Sequence, residues 1–191
     1  ILRGIETINS AIERAPASTA FRLRAAQLFD SYRLTTATGV DDMTLIEGSL
    51  NVIQDGLEHH RVSLLMNLQE GEALINLVRR GRADLSDNAA DAFKRAAGLY
   101  PRARAPQRTA ATRLLELQRP AEALIWAERA VALSVEEDDV MDALLLKAVA
   151  LRDLGKIPEA ITATEEAIER APDARLRASA DGLLETLRTQ Q

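Results

Sequence analysis

The 191-residue chain contains no cysteine. That excludes disulfides, thiol nucleophiles and cysteine-bearing zinc sites. It leaves cytosol and periplasm equally open to a soluble chain, since neither compartment requires the residue. Aromatic residues make up only 3%. Runs of β-branched residues with period-two alternation are missing, so a sheet has no support. No apolar stretch approaches the roughly 20 residues of a membrane span, and the best one, 143–151, is broken by Lys147. No signal-peptide pattern is visible. The first residue is Ile1 rather than methionine, which leaves room for a removed export signal or a preceding domain.

The chain is 47% hydrophobic and 28% charged, enough to bury a core and stay in solution. Alanine, leucine, glutamate and arginine dominate, and all four favour helix. The net charge of −5 is spread unevenly. Residues 1–78 carry 6 basic and 10 acidic groups, 79–119 carry 10 and 4, and 120–191 carry 8 and 15. A basic middle therefore lies between acidic flanks.

Residues 11–16 and 167–172 both read Ala-Ile-Glu-Arg-Ala-Pro. Each copy ends a helical pattern at a proline, which cannot continue a helix, so the pair indicates an internal repeat. The unit is clearest at 141–172. Leu144, Ala148 and Leu151 recur at spacings of one helix face. Gly155 supplies the backbone freedom of a tight turn. Pro158 falls in the first turn of the next helix, where its missing N–H is harmless. Ala160, Thr164, Ala167 and Ile168 form the second helical face. The preceding unit aligns through Ala123 and Ala130, each 37 residues before its counterpart. One helix pair of this size cannot bury its apolar face alone, so several must stack.

This pattern resembles the tetratricopeptide repeat, a helix–turn–helix unit of roughly 34 residues. Leu144, Ala148 and Leu151 take the first-helix positions, Ala160 and Ala167 match the two alanines, and Pro172 the closing proline. Thr164 departs from the pattern, standing where an aromatic is usual. Ala89, Phe93, Ala96 and Pro101 match another second helix, and Ala25, Ala26 and Phe29 an earlier first helix. The resemblance implies an all-α chain, a right-handed α-solenoid of antiparallel helix pairs. It divides into a partial repeat (1–16), a degenerate repeat (19–60), repeats at 62–101, 104–137 and 141–172, and a capping helix (175–189). The extra length of the 104–137 unit is expected in the loop 135–139.

Candidate sites are few. His59 and His60 point about 100° apart on a helix and suit no shared metal, although Asp55 and His59 could share a face. Gly155-Lys156 resembles a phosphate loop, but Ala150 and Ile157 occupy two of its required positions, so it is rejected. Glu136, Glu137, Asp138 and Asp139 lack the pattern of a calcium loop; a solvated loop is expected, with Asp138 or Asp139 capping the next helix. No serine, lysine or carboxylate lies in a catalytic context, so no enzyme, cofactor or metal is expected. Trp126 reads as packing between repeats, with an interface anchor as the alternative.

The family resemblance implies a protein-interaction scaffold whose first helices line a concave groove for a protein or peptide segment. Mapping the groove positions gives Ala20, Leu23, Gln27 and Asp30, then Arg108, Thr112 and Leu115, then Asp142, Leu145, Val149 and Arg152. None is the lysine or asparagine with which some family members clamp a terminal carboxylate. Only Arg108 and Arg152 could hold an acid, and an acidic partner segment is the expectation. Glu116 is the surface partner expected for Arg108 if it binds no ligand. Two rivals stay open: a regulatory or docking part of a larger bacterial enzyme or envelope-assembly protein, and a nucleic-acid binder using 79–119. The second would want aromatics beside the charge, and only Phe93 and Tyr100 are near.

Overall fold

The computed structural model describes residues 2–15, 18–33, 42–171 and 173–190, with side chains described except at 2–5, 8–9 and 30–33. The prolines that close both copies of the repeated hexapeptide, and the threonine-rich connection at 34–41, lie outside the described residues. Among those described, the chain is all-α. Its helices are α1 (Leu2–Arg14), α2 (Thr19–Arg33), α3 (Asp42–His59), α4 (Leu64–Val78), α5 (Ser86–Leu99), α6 (Arg104–Glu116), α7 (Pro120–Leu133), α8 (Glu137–Asp153), α9 (Ile157–Glu169) and α10 (Ala174–Arg188). A 3-10 turn, Ala83–Leu85, precedes α5.

The helices form two compact units, 1–99 and 100–191. In the first, α1 to α5 pack each on the next; in the second, α6 to α10 do the same. Short links force consecutive helices to run antiparallel. Alanine sets how closely they approach. Ala123, Ala127 and Ala130 on α7, and Ala160 and Ala167 on α9, are fully buried. Ala148 and Leu151 of α8 share a core cluster with Ala160, and Leu144 shares another with Ala167; Ala110, Ala111 and Leu114 on α6 are likewise fully buried. Thr164, the departure from the family pattern, is also fully buried, and its hydroxyl donates to the Ala160 carbonyl at 2.8 Å. That bond satisfies the one polar atom the site would otherwise strand. α10 buries Ala180, Leu184 and Leu187 against α9 and turns a polar face outward.

Three turns share one backbone device at a spacing of 37 residues. Gly81, Gln118 and Gly155 all have positive φ, at 99°, 58° and 74°. The following N–H in each case bonds back across the helix end: Arg82 to Leu77 O, Arg119 to Leu114 O, and Lys156 to Leu151 O. This is the Schellman closure, which satisfies the orphan carbonyls of a helix terminus. The same period therefore runs through α4, a helix whose side chains follow the family pattern poorly.

The acidic run departs from expectation. α8 begins at Glu137, so Glu137, Asp138 and Asp139 form its first turn rather than a loop. Neither Asp138 nor Asp139 caps it. The cap residue is Glu136, whose side chain makes no capping bond. Carboxylates in a first turn are favoured by the positive end of the helix dipole, so the run starts the helix early.

Candidate binding faces

Helices α6 and α8 both run antiparallel to α7 and are therefore parallel to each other. Arg104 pairs with Asp139 at 2.8 Å, and Arg108 pairs with Asp142. These bridges set a register of 34 to 35 residues between the two helices. Carried along the helices, that register sets Val149 of α8 opposite Leu115 of α6, 34 residues away. Leu115, Leu145, Val149 and Thr112 are all half-buried. Leu115 and Val149 are the apolar side chains of this face, Leu145 packs against Met141, Leu144 and Ala167, and Arg108–Asp142 bounds the face at one end. At the other end Arg152 pairs with Asp153 at 2.7 Å.

Both arginines expected to grip a partner carboxylate are therefore engaged within the chain. Arg108 does not use Glu116, which pairs with Arg113 at 3.0 Å. Spacing along α6 made Glu116 visible as a partner; only the packing of α8 brings Asp142 within reach. In the first unit, Leu23 packs partly into a core of Ala26, Ile53 and Met66. Gln27 is exposed and accepts a bond from Arg24 at 3.4 Å, and the side chain of Asp30 lies outside those described. Asp55 does not serve His59; it accepts from Arg22 Nε at 3.1 Å. Trp126 is half-buried, with the Arg129 guanidinium 4.6 Å from its ring centroid.

The basic stretch has a structural explanation. Eight of its ten cations reach a carboxylate: Arg80, Arg82, Lys94, Arg95, Arg104, Arg108, Arg113 and Arg119. Five of the acids involved (Asp42, Glu47, Glu70, Asp139 and Asp142) come from the acidic flanks. The charge asymmetry along the sequence is largely cancelled in space, leaving little cationic surface for a polyanion. At Arg82 the arrangement also shifts ionisation. Its hydrogen bonds hold the Asp84 carboxyl below the ordinary carboxylate range, and the same bonds raise the arginine.

A polar site that sequence periodicity did not reveal lies in the first unit. Asn67 and Glu70, on the buried face of α4, stand where alanine or leucine would be expected. Glu70 accepts from Gln54 Nε2 at 3.2 Å and from Arg95. Arg95 Nε also donates to Asn67 Oδ1 at 2.7 Å. These residues floor a cleft of about 460 Å³ whose rim carries Leu57, Glu58 and Arg61. Its one sequence signal is a polar pair at i, i+3 inside an otherwise apolar helix face.

Among the described residues no group of three acidic or histidine side chains could hold a metal ion, and no helix is long and apolar enough to cross a membrane.

No protein-family model matches the chain, and no curated protein does. Solved structures do. YrrB, described as a tetratricopeptide-repeat protein with an unusual peptide-binding site, superposes with a TM-score of 0.65 at 20% identity, over 97% of this chain and 84% of its own. MamA gives 0.64 at 14% identity, over 87% and 85%. TTC0263, a thermophilic tetratricopeptide-repeat protein of Thermus thermophilus, gives 0.59 at 18%, over 94% and 88%. The fold of this chain is that of the tetratricopeptide-repeat proteins.

Proposed function

We propose that the chain is a non-catalytic protein-interaction scaffold, and that the α6/α8 face receives an apolar segment of a partner protein. The observation that carries this reading is the half-buried apolar pair Leu115 and Val149 on parallel helices, flanked by the ion pairs Arg108–Asp142 and Arg152–Asp153. A segment docking there meets apolar side chains in the middle and satisfied charges at the ends. Asp142 and Asp153 stay partly exposed beside their arginines and would repel an acidic segment, so apolar anchors suit the face better than a carboxylate. The fold shared with YrrB supports a binding role.

The test is selection of a displayed peptide library on the full chain, followed by affinity measurement on the double variant Leu115→Lys, Val149→Lys. The expected result is enrichment of peptides with leucine-type anchors at helical spacing, and loss of binding in the variant at unchanged circular dichroism. Enriched peptides that bind the folded variant equally well would refute the assignment.

A further inference from the structure

We propose that the cleft over α4 in the first unit is a second, independent binding site, for a peptide segment that carries a carboxylate beside an apolar side chain. The inference does not rest on the α6/α8 face.

Three observations combine. First, the floor is a built polar network rather than a gap between helices. Asn67 is fully buried and Glu70 is 8% exposed. Burying such groups is unfavourable unless every polar atom is satisfied, and here they are. Asn67 Nδ2 donates to the carbonyls of Arg61 at 3.1 Å and Ser63 at 2.8 Å, while its oxygen and both oxygens of Glu70 are taken by Arg95 and Gln54. The network fixes two things: the orientation of the Arg95 guanidinium, and the backbone of the link that carries Arg61.

Second, the two guanidiniums retain capacity. Arg95 uses Nε and one terminal nitrogen, and its side chain remains 48% exposed, which leaves the other terminal nitrogen to the cleft. Arg61 is exposed and makes no ion pair among the described residues, unlike most cations of this chain. Guanidinium groups held in place recognise carboxylates through paired hydrogen bonds. Glu70 lies buried against Arg95 and the two nearly neutralise each other, so Arg61 supplies the charge a partner carboxylate meets, while Arg95 offers it an oriented N–H. Glu58, the remaining rim acid, suits an N–H donor of the same segment.

Third, apolar surface adjoins the charge. Leu57 lines the cleft. Val62 is 70% exposed and Leu65 48%, two of the six large hydrophobic side chains that stand out from the described surface. Val62 follows Arg61 in the link and Leu65 stands in the first turn of α4, both outside the cleft lining itself.

The test uses the full chain and a short fluorescein-labelled peptide alternating leucine and glutamate, with fluorescence anisotropy as readout. Its glutamine counterpart is the comparison. Arg61 is the residue to vary, since loss of Arg95 would leave Glu70 buried without its partner. Arg61→Glu should weaken the glutamate peptide roughly tenfold or more, at unchanged circular dichroism and urea midpoint, while Leu115→Lys, Val149→Lys should not. Equal affinity for the glutamine peptide, or indifference to Arg61→Glu, would overturn the proposal, as would failure of the glutamate peptide to bind. Loss of binding only in the Leu115, Val149 variant would place the peptide on the α6/α8 face, overturning this inference and leaving the proposed function standing.

Discussion

Replacement of Gly71 by alanine tests whether close helix approach governs the first unit. Gly71 is buried on α4. A Cβ added there would lie 2.7, 2.8 and 2.9 Å from Phe93 Cζ, Cε1 and Cε2. Comfortable carbon–carbon contact is about 3.5–4.0 Å, so the ring must retreat by nearly 1 Å. Phe93 is fully buried, so a retreating ring must press on the side chains around it. Overpacking of this kind costs about 1–3 kcal/mol. Against it stands the helix preference for alanine over glycine, about 0.8–1 kcal/mol. The balance is a net loss of about 1 kcal/mol. At Gly182, on α10, an added Cβ would meet nothing within 4 Å, so Gly182→Ala should show the propensity gain alone. Urea unfolding followed by circular dichroism gives both values. The decisive comparison is Gly71→Ala in a Phe93→Leu background. Relief of the clash should reverse its sign, from destabilising to stabilising. An effect of the same size and sign in both backgrounds would refute the packing argument, because contacting residues must couple.

Gln118 occupies the left-handed position that glycine fills at 81 and 155, so Gln118→Gly should stabilise the chain by about 0.5–1 kcal/mol, read as a raised urea midpoint. Ala160→Leu, at a fully buried helix contact, should destabilise by about 1–3 kcal/mol in the same assay. Asp84 should titrate by NMR below its usual 3.8, and Arg82→Ala should return it to that value. Because its folded carboxyl is the stronger acid, its contribution to stability is present above pH 3.8 and fades as the pH falls below it.

Much of the helical layout could be read from residues 104–171. Ala123, Ala130, Ala160 and Ala167 repeat at 37 residues, and Gly155 and Pro158 punctuate the helices where they are observed. Small residues on one face and breakers at the turns are local properties, so spacing alone exposes them. α4 was harder to read because Gly71, Asn67 and Glu70 interrupt its apolar face. Each has a reason in a neighbouring helix: Gly71 in the Phe93 ring, Asn67 and Glu70 in Arg95.

The amino-acid sequence by itself determined that this chain is helical, that its helices come as repeated pairs, and that alanine mediates their contacts. These follow from propensity and periodicity, which act over a few residues. Only the tertiary structure decided where the charge goes. Arg108 lies four residues from Thr112 and eight from Glu116, yet its partner is Asp142, 34 residues away. Ion pairs form across packed helices wherever the side chains happen to meet, and nothing in local spacing records that distance. The same holds for the cleft over α4, whose residues are drawn from α3, the link that carries Arg61, α4 and α5 and become a site only when those helices close on one another.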